Sequence, residues 1–279
     1  MIIREQVLTS RQNPTVKWLS ALSSSKGRKE SRVFLAEGRK LTAEALSCGL
    51  PIQYLIVDDS KKESISDVIR LYEKCDVFDK TEIIFVSNDV FMKISTEKAP
   101  EGIISVIKYL DFYQETDIIN KEVFETVFNN RILALCSLQD PLNVGAVIRS
   151  AAAFGVEQIV LSADSADVFH PKCVRASMAS LFHVRLTVVK DFSSFIEAAK
   201  ACNRRVLAAE LRPNAVSLEA AKLQPSDIVV IGNEGHGISE EISKLCTSSV
   251  FIPICDGIES LNASVAAAVF MWEQKRYEG

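Results

Sequence analysis

No stretch of this 279-residue chain is long and apolar enough to suggest a membrane span. Its longest strictly apolar run, Val265–Trp272, has eight residues, where a spanning helix needs about 20. The opening MIIREQVLTS lacks a charged segment followed by an apolar one, so no signal peptide is expected. The seven cysteines are odd in number and include no C-x-x-C pair. Reduced thiols in a cytoplasm therefore fit better than a disulfide framework or a zinc site. The three histidines are too dispersed for a metal centre, and none is expected. Neither G-x-G-x-x-G nor a phosphate loop ending in Gly-Lys-Ser/Thr occurs, so the usual nucleotide folds are not indicated.

A basic excess is also missing overall, the net charge being −4. Its distribution is more informative. Residues 1–50 carry nine Lys/Arg, among them Arg11, Lys26, Arg28, Lys29, Arg39 and Lys40, against four Glu. Phosphate-backbone affinity comes from such local patches. A solvated helix face explains the same charges equally well.

Short apolar runs alternate with helical periodicity along the whole chain. Strands are expected at Val33–Ala36, Ile52–Val57, Ile83–Val86 and Ile103–Ile107. Helices are expected after Pro14, at Arg39–Cys48, at Ile65–Lys74 and at Asp89–Ile94, with Ser23–Arg28 as a polar break. This reads as a small α/β domain over 1–110. Asp111–Arg131 is polar and charged, a linker or one amphipathic helix. From 132 to 279 five or six strands alternate with helices: Ile132–Leu138, Val156–Leu161, Val184–Val189, Val206–Glu210, Ile228–Ile231 and Val250–Ile254. That pattern predicts a mostly parallel sheet. Ala209 and Glu210 fall at a strand's C-terminal end, where open α/β sheets place ligands.

Two strand ends carry turn residues of chemical interest, Gly232-Asn233-Glu234-Gly235-His236-Gly237 and Cys255-Asp256-Gly257. Three glycines within six residues leave room for a ligand that meets backbone, or for an ordinary tight turn. Ser260-Leu261-Asn262 opens the last helix, on which Leu261, Val265, Val269 and Trp272 form one apolar stripe. Upstream, Asn143 is a good helix N-cap by type, and Arg149 lies on a helix slimmed by Ala146, Ala151, Ala152 and Ala153.

GNEGHGIS and IPICDGIESLNASVAAAVFMWE, preceded by LQDPLNVGAVIRSAAAFGVEQIVLS at Leu138–Ser162, resemble the three ordered motifs of the SpoU (TrmH-type) RNA methyltransferases of the SPOUT superfamily. TSRQNPTVKWLSAL, SRVFLAEGRKLTAEAL and APEGIISVIK resemble that family's N-terminal, ribosomal-protein-like substrate-binding domain. The resemblance implies a C-terminal SPOUT domain with a deep trefoil knot, a homodimer built through it, and transfer of a methyl group from S-adenosylmethionine to a ribose 2′-hydroxyl. Ribosomal RNA is the expected substrate, with transfer RNA as the alternative. A non-catalytic RNA-binding or ribosome-assembly factor on the same fold is the rival reading.

By the same resemblance Gly232, Asn233, Glu234, Gly235, Ile252 and Leu261 would hold the cofactor, and Ala209 joins them by its place at a strand's end. Arg149 would be the catalytic arginine, with Asn143, Glu234, Ser260 and Asn262 as the other polar site positions. Arg11, Lys26, Arg28, Lys29, Arg39, Lys40, Lys172 and Arg175 would meet RNA. Where relatives commonly have glycine after Ala-Ser-Met, this chain has Ala179, which weakens the case for a tight turn there. Where relatives often carry Lys or Arg, it has His236. A neutral arginine acting as base would cost about 7 kcal/mol at neutrality. A cationic Arg149 that binds phosphate and steadies developing alkoxide is the cheaper assignment.

Overall fold

A computed structural model describes residues 2–73, 81–128 and 130–276; Lys74, the expected end of a helix, lies outside them. The chain divides into two units, Met1–Leu110 with Asp167–Phe182, and Asp111–Ala166 with His183–Gly279.

The first unit has a five-stranded mixed sheet, β1 (Ile2–Leu8), β2 (Val33–Glu37), β3 (Ile52–Asp58), β4 (Glu82–Val86) and β5 (Ile103–Lys108), in the order β1-β4-β3-β5-β2. β5 runs antiparallel to β2 and β3, and the other pairs are parallel. Val16 and Leu19 of the Pro14–Ala21 helix and Phe91 of the Asn88–Ile94 helix close the core over Leu35, Ile56, Ile84 and Val106. The Asn13 side chain caps the first of these helices by accepting from Thr15 N–H at 2.9 Å.

Four expectations change here. The polar stretch Ser23–Arg28 is not a break: Ser25–Ser31 is a helix, capped by Ser24. Arg28 is only 1% exposed. Its Nη1 donates to the carbonyls of Leu22 (2.9 Å) and Ser23 (2.8 Å), and its Nε and Nη2 donate to Asp167 Oδ2 (3.1 and 2.6 Å). A guanidinium engaged on every side inside the unit has no face left for RNA. Residues 167–182, expected in the C-terminal domain, belong to this unit, where Phe169 stacks on Phe34 and Tyr109. Ala179 does sit in a tight turn, with Met178 at φ 49° and Ala179 at φ 71°.

The second unit is an eight-stranded sheet: β6 (Tyr113–Thr116), β7 (Ile132–Leu135), β8 (Gln158–Ser162), β9 (Arg185–Val189), β10 (Val206–Ala209), β11 (Val216–Ser217), β12 (Ile228–Ile231) and β13 (Ser248–Phe251). The order is β11-β13-β10-β12-β7-β8-β9-β6, and every pair is parallel. The central strands are apolar throughout, as strands covered on both faces must be. Residues 111–131 are not a linker, for they supply edge strand β6 and the helix Lys121–Val127, whose Phe124 packs with Phe128 and Phe195. Two further expectations shift. β13 ends at Phe251, so Ile252–Ile254 are loop, and the first-motif helix, Pro141–Phe154, begins before Asn143 rather than after it.

The C-terminal helix, Ala263–Arg276, buries Ala263, Ala267, Phe270, Met271 and Gln274. The stripe of Val265 and Trp272 lies on its outer side, 49% and 50% exposed. No helix among the described residues is long and apolar enough to cross a membrane.

Candidate active site

The polar motif residues converge at the C-terminal ends of β7 and β12, neighbouring strands at the centre of the sheet. Glu234, three residues past β12, reaches the start of the first-motif helix. Its Oε1 accepts from Asp140 N–H and Asn143 Nδ2, both at 3.0 Å, and its Oε2 accepts from Gln139 N–H at 3.2 Å. A helix start leaves N–H groups without partners, and a carboxylate answers that need. Burial pushes the Glu234 carboxyl upward, but the donors from Asn143, Asp140 and Gln139 outweigh it and hold it below the ordinary value.

Asn143 lies inside the helix and is buried. The N-cap is Asp140, whose Oδ1 accepts from Leu142 N–H at 2.9 Å. Asn143 Oδ1 accepts from Asn262 Nδ2 at 3.0 Å. Asn262 Oδ1 in turn accepts from the N–H groups of Ser264 (2.9 Å) and Val265 (3.4 Å), so it opens the C-terminal helix. Ser260, two residues earlier, is exposed and outside the helix.

The glycine-rich turn is built largely for itself. Asn233 and Gly237 exchange two backbone hydrogen bonds of 3.0 Å. Asn233 Nδ2 donates to Ser137 O, and its Oδ1 accepts from Gly235 and His236 N–H. A Cβ on Gly232 would stand 2.5 Å from the Gly237 carbonyl carbon, so only glycine fits there.

A cavity of about 390 Å³ opens at the ends of β10 and β13, lined by Ala209, Glu210, Ile252, Pro253, Ser260, Leu261 and others. Three of the expected cofactor residues, Ala209, Ile252 and Leu261, therefore share one pocket. Gly232, Asn233, Glu234 and Gly235 are not in its lining. Leu261 lines the pocket while its neighbour Asn262 holds Asn143, which links pocket and polar cluster through one peptide bond. Glu210 was legible only as a strand-end residue; it also lines this pocket.

Arg149 stands apart. It is exposed on the first-motif helix and makes no hydrogen bond or ion pair with any described residue. Asn143 is six residues away, which at 100° per residue places the two on different helix faces.

The basic residues of the first unit divide by partner. Arg11 pairs with Asp89 (2.5 Å), Arg39 with Asp67 (2.6 Å), and Arg175 with Glu97. Lys26 lies 3.8 Å from Glu30. Lys29, Lys40 and Lys172 are exposed.

These features define a class first: a wholly parallel α/β sheet with a ligand-sized pocket and a carboxamide–carboxylate cluster at its C-terminal edge, accompanied by a separate mixed-sheet domain. Residues 130–272 match the SpoU rRNA Methylase family, and residues 13–105 match the MRM3-like substrate binding domain. The chain belongs to the SpoU family. It is 30% identical to an uncharacterized tRNA/rRNA methyltransferase of Synechocystis sp., over 97% of this chain and 94% of that one. It is 27% identical to the 23S rRNA (guanosine(2553)-2'-O)-methyltransferase RlmP of Bacillus subtilis, over 95% and 97%. The AdoMet-bound rRNA methyltransferase of Sinorhizobium meliloti superposes with a TM-score of 0.79 at 25% identity, covering 99% of this chain and 98% of that one.

Proposed function

We propose that this protein transfers a methyl group from S-adenosylmethionine to a ribose 2′-hydroxyl of ribosomal RNA, in the cytoplasm. The observation that carries this is the joining of the Ala209–Ile252–Leu261 pocket to the Asn143–Glu234–Asn262 cluster. The pocket suits the cofactor. Its volume is that of a small-molecule site, its walls are largely apolar, and its lining includes Glu210, Asp256 and Glu259 but, among the described residues, no Lys, Arg or His. Such a wall favours a ligand that carries positive charge. S-adenosylmethionine, when bound, supplies a methyl group on a sulfonium, open to displacement by an oxygen nucleophile.

The residues of the chain align and neutralise. Glu234 is a poor base, because both oxygens already accept hydrogen bonds and its carboxyl is held below the ordinary value. Its part is to fix the start of the first-motif helix against the β12 turn. Asn143 and Asn262 lock that helix to the C-terminal one. Arg149 binds the phosphate beside the target ribose and steadies the alkoxide as it forms, and phosphate or water receives the proton of the hydroxyl. Ser260, exposed at the pocket rim, is free to contact the substrate ribose.

A homodimer completes the arrangement. Supporting this, Val265, Val269 and Trp272 border an apolar groove with Ser150 and Phe154, on the face of the C-terminal helix that one copy leaves bare. Arg149, without a hydrogen-bond or ion-pair partner among the described residues, lies on the same pair of helices. The trefoil knot implied by the family would pass the chain beyond β13 beneath the 232–237 turn, in keeping with the Asn262 to Asn143 contact. RNA is held by Lys26, Lys29, Lys40 and Lys172. Arg11, Arg39 and Arg175 join them, since surface ion pairs contribute only about 0–1 kcal/mol and phosphate competes for them.

The test combines calorimetry with S-adenosylmethionine and transfer of labelled methyl to ribosomal RNA from a strain lacking the gene. Binding with transfer is expected. Transfer only to transfer RNA would move the substrate class. RNA binding without cofactor binding would make the protein an RNA-binding factor.

A further inference from the structure

We propose that Glu210 is a cofactor-recognition residue whose free carboxylate oxygen accepts a hydrogen bond from a donor group on the adenosine half of S-adenosylmethionine. This rests on the proposed methyl-donor site and goes beyond it, because the glycine-lined turns and apolar walls alone do not select among nucleoside hydrogen-bond donors.

The geometry divides the two oxygens of this carboxylate. Oε1 takes all three protein partners: the hydroxyl of Ser243, the hydroxyl of Ser249 at 2.7 Å, and Nε of Arg212 at 2.9 Å. Oε2 has no hydrogen-bond partner among the described residues. The side chain is only 11% exposed, and the residue lines the 390 Å³ pocket. Glu210 N–H donates to Val250 O at 3.0 Å. That bond fixes the residue beside the strand leading to Ile252, on the wall where an adenine edge would lie. A carboxylate held this way stays charged, since Ser243, Ser249 and Arg212 together overcome the burial that would raise its pKa.

An ionised carboxylate accepts and never donates. Oε2 therefore reads donors, and the adenosine half offers the two ribose hydroxyls and the exocyclic amine. The amino-acid half offers an ammonium, a different source of the same chemistry, which the experiment separates.

Glu210→Gln keeps an oxygen for Arg212, which can only donate, and so turns the amide nitrogen toward the pocket. A donor then faces a donor. S-adenosylmethionine and 5′-methylthioadenosine, which lacks the amino-acid part, are titrated calorimetrically into wild type and E210Q. The proposal predicts that E210Q weakens both ligands by a similar factor, about tenfold or more, as for a hydrogen bond to a charged group. Loss for S-adenosylmethionine alone assigns the contact to the ammonium and overturns the proposal, as does unchanged affinity for both. Should E210Q not fold, wild type is titrated with 5′-methylthioadenosine analogues lacking the 2′-hydroxyl, the 3′-hydroxyl or the 6-amino hydrogens. One of them is expected to bind about tenfold more weakly, and equal binding by all three overturns the proposal. Wild type that binds neither parent ligand instead contradicts the proposed cofactor itself.

Discussion

Asn262 donates its side-chain N–H to the side-chain oxygen of Asn143 over 3.0 Å, across 119 positions of sequence. The bond ties the start of the C-terminal helix to the helix that carries Arg149. Asn262→Ala removes this bond and the cap of the C-terminal helix together. We expect a loss of about 1–2 kcal/mol in the denaturant midpoint analysis, the range of a lost N-cap. Methyl transfer should fall further than cofactor affinity, because the pocket wall at Leu261 remains.

Glu234 makes acid stability a readout of the same junction. Its carboxyl is held below the ordinary value in the folded protein. A depressed pKa contributes stability that is complete above the unfolded value of about 4.3. That contribution is lost as pH falls through the folded value. Glu234→Gln should therefore be less stable than wild type at neutral pH, and the gap should close as pH falls from about 7 to about 3. Urea midpoints across that range test it; a gap that widens in acid would contradict it.

Ala179 occupies left-handed backbone at φ 71°. A residue with a Cβ pays about 1–2 kcal/mol there, against about 0.5–1 kcal/mol of extra unfolded-state entropy for glycine. Ala179→Gly should raise stability by up to about 1 kcal/mol. Thermal unfolding of the two forms reads this directly, and a lower midpoint for the glycine variant would contradict it.

Several of these features lay beyond a reading of the sequence, for physical reasons. Ile228–Ile231 was plain because four buried apolar residues stand between Asp227 and Gly232. Edge strand β6, Tyr-Gln-Glu-Thr, was not, because only Tyr113 is buried and the rest reads as loop. Arg28 looked like its basic neighbours, and its buried role depends on Asp167, 139 positions away. The apolar stripe of the C-terminal helix named a face without saying what covers it; alanines and Phe270 took the core instead. Asn143, Glu234 and Asn262 were readable as motif positions. That Glu234 receives backbone N–H groups, and that Glu210 keeps one oxygen without a partner among the described residues, are properties of geometry alone.

The two kinds of basic residue in the first unit should separate in RNA binding. Arg28→Ala leaves the Asp167 carboxylate without its cation, at a cost of about 3–5 kcal/mol for a broken buried pair. Where the variant stays folded, its salt dependence of RNA affinity should match wild type. Replacing Lys29, Lys40 or Lys172 by alanine should leave stability unchanged and lower the log–log salt slope by about 1 each. A reduced slope for Arg28→Ala would contradict the division.

If Arg149 acts on the site of a second copy, two inactive variants should complement. Equal amounts of Arg149→Ala and Asn262→Ala protein, mixed and exchanged, should recover about a quarter of wild-type transfer, since half the dimers then hold one intact site. No recovery, with exchange verified, would place Arg149 in its own copy's site.

The central claim concerns which atom receives the methyl group. Ribosomal RNA methylated by the purified protein with labelled S-adenosylmethionine is digested to nucleosides and separated. The account predicts label in a single 2′-O-methylated ribonucleoside, absent with Arg149→Ala. Label on a base, or none on RNA despite bound cofactor, would contradict it.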